Sequence, residues 1–176
     1  HEGLITNEKG VITVTSLPWG EYYFVETAPA PGYVADTKPT DKVVIDAKYV
    51  DASPITVEKT NKQTEFYITK TDINGEKYLT GSTVEIFKVI NAGVQPASED
   101  GATSGEEEQI IPITSWTSDG SNHLIKGILE VGETYIIKET AAPTGYGLLE
   151  SYIEFTVNED GSITSDANFA IDENGN

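Results

Sequence analysis

A duplicated segment constrains this chain more than any other feature of its sequence. Residues 22–33 read YYFVETAPAPGY and residues 135–146 read YIIKETAAPTGY, so both keep the pattern Tyr-x-x-x-Glu-Thr-Ala-x-x-x-Gly-Tyr. The two glutamates, Glu26 and Glu139, are 113 residues apart, and each lies inside an apolar run with the composition of a β-strand. A repeat at this distance predicts two related domains, each with a carboxylate inside a strand.

Short strand-like runs separated by turn sequences recur along the chain. The runs are rich in Val, Ile, Thr and aromatic residues, and the turns contain Asn-Gly or Asp-Gly. The predicted strands are 10–17, 21–27, 42–47, 54–60, 65–71, 82–90, 110–116, 134–140 and 152–158, with turns at 72–75, 118–120 and 159–161. No amphipathic helix is predicted, and the Gly-, Ser- and Glu-rich residues 91–109 are predicted to form a long surface loop. This pattern is typical of an all-β protein, most simply a β-sandwich.

The repeat also predicts where the chain divides. A full unit begins near Thr64, so the domains are predicted to span residues 1–61 and 62–176. No segment before the first copy of the repeat matches EFYITKTD, the sequence that opens the second unit at Glu65. We therefore expect the first domain to be incomplete at its N-terminus, and we leave open whether the second keeps its last strand.

The composition excludes several classes of function. Eleven lysines, with no arginine, stand against 29 acidic residues and give a net charge of −18, which repels nucleic acid and anionic membrane surfaces. No apolar run of membrane-spanning length occurs in the sequence. The absence of Cys excludes disulfides, zinc–thiolate sites and Cys nucleophiles, and the two His lack metal-ligand spacing. We predict no cofactor, no metal and no enzymatic turnover.

Strand alternation predicts which charged residues face inward. Side chains alternate between the two faces of a strand, so Glu139 shares a face with Tyr135 and lies opposite Lys138. By the same rule, Lys70 shares a face with Phe66 on the strand that opens the second unit. A buried charge is costly unless it is paired or neutralised. A buried Lys70–Glu139 salt bridge, or a lysine that extends to water, would also satisfy this pattern.

These motifs together resemble a known family. EFYITKTDINGEKYLTGSTVEIFK (65–88), GETYIIKETAAPTGY (132–146) and YIEFTVNEDGSIT (152–164) resemble the CnaB-type (SpaA-like) domains of Gram-positive pilins and surface adhesins. Residues 10–61 resemble the back half of the same domain. The resemblance implies tandem Ig-like sandwiches of the reverse-Ig, CnaB type.

The resemblance also implies chemistry. In that family a Lys on the first strand forms a spontaneous isopeptide bond with an Asn or Asp on the last strand, assisted by the Glu of the repeated segment. Lys70 would then be the nucleophile and Glu139 the proton shuttle. An apolar site favours an uncharged amine that can attack and a protonated Glu139 that can polarise the amide. The reaction is a single-turnover, autocatalytic cross-link.

The acceptor of the bond is less constrained. In the first copy, the resemblance implies Glu26 as the shuttle and Asn61 as the acceptor. In the second copy, Asn174 lies 113 residues after Asn61 and is the candidate acceptor. Asp172, or a residue beyond Asn176, is the alternative.

The function implied by the resemblance is that of a structural module in a pilin or adhesin on a Gram-positive surface. Such a protein is extracellular and anchored to the cell wall, and its partners are other pilin subunits joined by sortase. The Tyr-Pro-Lys-Asn polymerisation motif is absent, which leaves the role of backbone pilin open. The alternative is an adhesin that binds a host extracellular-matrix protein through residues 91–109 or through exposed aromatics such as Trp19 and Trp116. Neither function involves nucleic acid or membrane insertion of this chain.

Overall fold

The structure is a computed structural model that describes residues 3–49, 54–90 and 109–165. Within these ranges the chain forms β-strands and a single short 3-10 turn, Ala47–Tyr49, so the predicted all-β class is confirmed. The strands are β1 (Gly20–Tyr22), β2 (Tyr33–Val34), β3 (Val43–Ile45), β4 (Lys62–Gln63), β5 (Glu65–Ile68), β6 (Thr80–Ile90), β7 (Gln109–Asp119), β8 (His123–Lys126), β9 (Thr134–Ala141), β10 (Ile153–Val157) and β11 (Ile163–Thr164). No helix in the described ranges is long and apolar enough to cross a membrane.

The chain separates into two compact units. Unit 1 comprises His1–Glu26 and Thr37–Thr60, and unit 2 comprises Thr27–Asp36 and Asn61–Asn176. The ten residues from Thr27 to Asp36 therefore belong to unit 2 by their contacts, although they follow the first glutamate of the repeat. Sequence alone placed them with the first domain.

Unit 2 contains one large antiparallel sheet and two ribbons. The sheet has five strands in the order β11-β10-β9-β6-β7, so β6 pairs with both β7 and β9. One ribbon is formed by β5 and β8, and the other by β2 and β4. This arrangement places β9, the strand that carries the second copy of the repeat, inside the sheet.

The hydrophobic core lies between the five-stranded sheet and the β5–β8 ribbon. Both layers contribute to one cluster of buried side chains: Phe66, Ile86, Ile125, Leu129, Tyr135, Phe155 and Val157. Tyr135 is the largest fully buried side chain, and its ring stacks on Phe155 with the centroids 5.6 Å apart. Its hydroxyl accepts the Glu130 N–H at 2.8 Å, which satisfies the polar end of the buried ring. Two layers around one core make unit 2 the predicted sandwich.

Unit 1 is much less packed in its described part. β1 and β3 form an antiparallel ribbon, and none of the described residues of this unit is buried. The predicted strands at 10–17 and 54–60 are wrong, and the strand predicted at 21–27 ends at Tyr22. β-propensity produces a strand only where a neighbouring strand and a packed face are available, and here the described ladder has two strands.

Two of the three predicted turns are present, whereas β7 continues through Ser118 and Asp119 of the turn predicted at 118–120. The Gly75 N–H donates to the Asp72 carbonyl at 3.0 Å, and the Gly161 N–H donates to the Asn158 carbonyl at 2.9 Å. The Asp72 carboxylate accepts the N–H of Glu76 at 3.1 Å, so the turn itself uses this carboxylate. The long loop predicted at 91–109 lies outside the described residues, except that Gln109 begins β7.

Candidate functional site

Lys70 and Glu139 meet inside unit 2. Lys70 follows the end of β5 by two residues, and its Nζ lies 3.5 Å from Oε1 of Glu139 on β9. The Glu139 side chain is 3% exposed, whereas the Lys70 side chain is 24% exposed. The Leu79 N–H donates to the Lys70 carbonyl at 2.9 Å and fixes the backbone there. The structure therefore brings together the two charges that strand alternation placed on inward faces.

The Glu139 carboxylate is held by two further donors. The Ser82 hydroxyl on β6 donates to Oε1 at 2.5 Å, and the Leu149 N–H donates to Oε2 at 2.7 Å. Ser82 is fully buried, and its own N–H donates to the Ser118 hydroxyl at 3.0 Å. Both carboxylate oxygens are thus hydrogen-bonded, which fixes the orientation of the group beside the lysine.

These contacts determine the ionisation of Glu139. Burial acts to raise its pKa, but the hydrogen bonds from Ser82 and the Leu149 N–H, together with the positive charge of Lys70, outweigh burial. The pKa of Glu139 consequently lies below its ordinary value of 4.5. The expectation that an apolar site keeps this residue protonated is wrong for the arrangement seen here, in which Glu139 is a carboxylate at neutral pH.

Glu26, the counterpart of Glu139 in the first copy, has different surroundings. It lies in unit 1, four residues after β1 ends at Tyr22, and it is only half-buried. The neighbouring side chains of Phe24 and Val25 are exposed. The described strand β1 ends before Glu26, so strand alternation does not fix its direction, and the inward-facing position of Glu26 stays a prediction.

The structure describes one of the predicted acceptors, Asn61. Asn61 is half-buried and lies in unit 2, directly before β4. Asn174 and its alternative Asp172 lie outside the described residues. Lys70 and Glu139 are predicted site residues for which the structure gives a direct contact, at 3.5 Å.

Family comparison identifies the chain. A family profile, the SpaA prealbumin-like fold domain, matches it twice, over residues 1–63 and 64–170. The chain belongs to the SpaA family. No curated protein sequence matches it.

The solved structures that are similar to this SpaA-family chain contain longer chains, of which it matches a part. The TIE protein of Bacillus anthracis is 23% identical, with 90% of this chain and 26% of that chain covered and a TM-score of 0.45. A streptococcal ancillary pilin is 28% identical, with coverages of 81% and 39% and a TM-score of 0.36. A C-terminal fragment of the pilus adhesin SpaC from Lactobacillus rhamnosus GG is 18% identical, with coverages of 85% and 66% and a TM-score of 0.42. The chain therefore spans between about a quarter and two thirds of these structures.

Sequence reasoning missed two of the groups that hold Glu139. Ser82 alternates with Val84 and Ile86 along β6, and all three are buried, so the alternation rule would have placed it on the inward face. The Leu149 N–H comes from the segment after β9, where no periodicity indicates which backbone group points inward. Three groups thus contact the Glu139 carboxylate in the second SpaA domain: the Lys70 ammonium, the Ser82 hydroxyl and the Leu149 N–H. Of these, the sequence predicted Lys70.

The ionised Glu139 predicts a pH dependence of stability. Because its pKa is lower in the folded state than its ordinary value, its contribution to the free energy of unfolding is complete above about pH 4.5 and is lost as the pH falls through the folded pKa. Urea unfolding at pH 7 and pH 3 should therefore show a larger loss of stability in Asn174→Ala than in the double variant Asn174→Ala/Glu139→Gln, since both chains keep Lys70 as a free ammonium group. The other carboxylates are common to both chains, so an equal loss in both would contradict the assignment.

The aromatic residues considered for ligand binding differ in their surroundings. Trp19 is 71% exposed in unit 1. Trp116 packs against the core of unit 2 and stacks on His123, with the ring centroids 4.4 Å apart and the planes 5° from parallel. The prediction that Trp116 is an exposed contact residue is therefore wrong. Within the described ranges, no group of three His, Asp or Glu side chains is placed to hold a metal ion.

Proposed function

We propose that the second SpaA domain is a structural module closed by an isopeptide bond between Lys70 and Asn174, with Glu139 as the proton shuttle. The observation that carries this proposal is the Lys70–Glu139 pair, in which a carboxylate with 3% exposure lies 3.5 Å from the lysine Nζ. Burying such a pair contributes little net stability, because apolar side chains of similar volume often stabilise a core as well. A chemical role accounts for the pair better than a purely structural one.

The geometry suits a proton transfer between the two residues. Transfer of a proton from the Lys70 ammonium to the Glu139 carboxylate would produce a neutral amine and a carboxylic acid at the same moment. Ser82 and the Leu149 N–H stabilise the charged form of Glu139, so this transfer is expected to follow the exclusion of water by the incoming acceptor strand. The shuttle therefore starts as an ion pair rather than as a pre-formed acid.

The bond-forming step then follows. The Lys70 amine attacks the side-chain carbonyl carbon of Asn174 while Glu139 protonates the carbonyl oxygen. Collapse of the tetrahedral intermediate breaks the bond to the amide nitrogen, which leaves as ammonia and carries away the surplus proton as ammonium. Glu139 ends as a carboxylate, and packing of the strands supplies the proximity that the reaction needs. With Asp172 as the acceptor, water would leave instead.

The cross-link explains how such a module could bear load. A bond between residues 70 and 174 would close a loop of about 100 residues and, by analogy with a disulfide, would stabilise the fold by about 4–5 kcal/mol. The chain has no Cys, so a disulfide cannot perform this role. We therefore propose an extracellular surface location, in a cell-wall-anchored pilin or adhesin of a Gram-positive cell whose subunits sortase joins.

The same proposal extends to the first copy and to the domain boundaries. Glu26 and Asn61 are proposed as the shuttle and the acceptor of a first cross-link, in which a lysine that corresponds to Lys70 would attack the Asn61 side-chain carbonyl and ammonia would leave. The proposed domains are residues 1–61 and 62–176. Repetition of the Glu-Thr-Ala-x-x-x-Gly-Tyr pattern supports both assignments.

Peptide mapping tests the linkage directly. Proteolysis followed by tandem mass spectrometry is expected to yield a branched peptide that joins Lys70 to Asn174. The branch should disappear in Lys70→Arg and in Asn174→Ala, and it should persist in Lys77→Arg, a nearby lysine whose Nζ lies 5.9 Å from the Tyr146 ring centroid. A branch to Asp172 would correct the acceptor alone, and the absence of any branch at Lys70 would refute the proposal.

A further inference from the structure

The repeated segment forms the same turn in both copies. The Tyr33 N–H donates to the Ala30 carbonyl at 3.1 Å, and 113 residues later the Tyr146 N–H donates to the Pro143 carbonyl at the same distance. The glycine before each tyrosine has a positive φ, +79° in the first copy and +88° in the second. We call residues 27–36 the first box loop and residues 140–149 the second box loop. Their local conformations match, so a partner that fits one would fit the other.

The first box loop is covered by the segment that opens the second domain. β2 in this loop pairs with β4, and the Thr64 N–H donates to the Gly32 carbonyl at 2.9 Å. The Thr64 hydroxyl lies 2.7 Å from the Leu129 carbonyl oxygen, and the Thr64 carbonyl accepts the Gly127 N–H at 2.8 Å. The fit is close, because a Cβ at Gly32 would collide with the Gly127 carbonyl oxygen. All of these contacts lie within unit 2.

The second box loop has no such cover among the described residues. Nothing in the described part of the chain lies within 4 Å of a Cβ placed on Gly145, and no described strand pairs with residues 145–147. Tyr146 is 42% exposed, and Leu148, Leu149 and Tyr152 are exposed as well. In the first copy, Tyr33 and Val34 are both half-buried at the corresponding positions. The same turn is therefore covered by a pairing segment in the first copy and is not covered by any described residue in the second.

We propose that the second box loop is the docking site for the opening segment of a further SpaA domain. The occupant is an extended segment that resembles Lys62-Gln63-Thr64: two residues that pair antiparallel with residues 146–147, followed by an N–H and a hydroxyl next to the Gly145 carbonyl. We choose this occupant because the first box loop is covered in the same way, by the pairing of β2 with β4 and by the Thr64 hydroxyl at the Gly32 carbonyl. This inference goes beyond the cross-link and does not depend on it.

Extension of the full chain tests the proposal. In the extended chain, a second copy of residues 61–176 follows Asn176. The new opening segment then lies slightly further along the chain from the second box loop than Asn61 lies from the first. The longer connection adds little to the entropy cost of closing the loop. Amide hydrogen exchange is then measured in residues 145–148 of the original and extended chains. Docking is expected to slow exchange there by roughly tenfold or more, because the pairing removes these amides from solvent. Intact mass of both chains, measured in parallel, reports the cross-link separately.

A matched pair of glycine variants locates the contact. Gly145→Ala in the extended chain is expected to remove the new protection and to leave protection at residues 32–34 unchanged. Gly32→Ala should have the converse effect, since the two glycines have similar φ and therefore similar backbone strain. Three results would overturn the proposal: no new protection on extension, equal protection already present in the original chain, or protection that survives Gly145→Ala.

Discussion

Glu139→Gln is expected to abolish the Lys70 cross-link and to lower the free energy of unfolding of the second domain by about 4–5 kcal/mol, the value of closing a loop of about 100 residues. Glutamine keeps the size of the side chain and cannot accept the lysine proton, so the amine stays protonated and does not attack. The Ser82 hydroxyl can still donate to the amide oxygen, but the Leu149 N–H then faces the amide NH2 and loses its acceptor, which adds about 1–3 kcal/mol to the loss. The stability change therefore reports the missing bond together with a lost hydrogen bond, and the intact mass of the variant reports the bond alone.

Urea unfolding of the two chains measures this effect, and Glu130→Gln provides the matched control. Glu130 also forms an ion pair with a lysine, 3.0 Å from Lys88 Nζ, but its side chain is 40% exposed and far less buried than that of Glu139. Removing an exposed pair costs about 1 kcal/mol or less, so Glu130→Gln should keep both the cross-link and most of the stability. Equal losses in the two variants would show that the Glu139 effect comes from a lost ion pair rather than from a lost bond.

Tyr135→Ala is expected to destabilise the second domain by about 3–5 kcal/mol, as for other large core side chains replaced by alanine. The ring is 1% exposed, stacks on Phe155 and belongs to the cluster that joins the sheet to the β5–β8 ribbon. Tyr135→Phe keeps the ring and loses only the acceptor of the Glu130 N–H, so its expected cost is about 1 kcal/mol.

Thermal and urea unfolding of both Tyr135 variants check these values. Tyr135 shares the inward face of β9 with Glu139, so loss of the ring should also loosen the strand that positions the carboxylate and lower the yield of cross-linked chain. Tyr135→Phe should be cross-linked as fully as the native chain. A cost for Tyr135→Ala close to that of Tyr135→Phe would contradict the assigned core.

The sequence predicted five strands of unit 2 because their apolar residues pack against a shared core, and it missed the short strands β2, β4, β8 and β11. The strand predicted at 134–140 is β9, and those predicted at 82–90 and 152–158 are β6 and β10. In unit 1, residues 10–17 have an equally strand-like composition, yet they pair with no described strand. Composition reports what a residue favours, whereas a ladder also requires a partner that local sequence does not specify.

The site was predictable to the extent that strand alternation determined it. Alternation placed Lys70 and Glu139 on inward faces, and it applies equally to Ser82. It could not indicate the Leu149 N–H, which lies ten residues after Glu139 beyond the end of β9. Burial alone would raise the pKa of Glu139, but these donors lower it below its ordinary value. The sequence therefore predicted the lysine partner of Glu139 correctly and the protonation of Glu139 wrongly.

The repeat also could not predict that residues 27–36 pack with unit 2. The repeat assigns these residues to the first copy, and only the pairing of β2 with β4 shows that they pack with the second. The decisive contact is a close approach between glycine backbones, at Gly32 and Gly127, which has no hydrophobic signature in the sequence.

Intact mass under denaturing conditions tests the central claim most directly. The native chain should be lighter than its sequence mass by one ammonia molecule, and Lys70→Arg should have its full sequence mass. A native chain at its full sequence mass would contradict the proposed bond between Lys70 and Asn174.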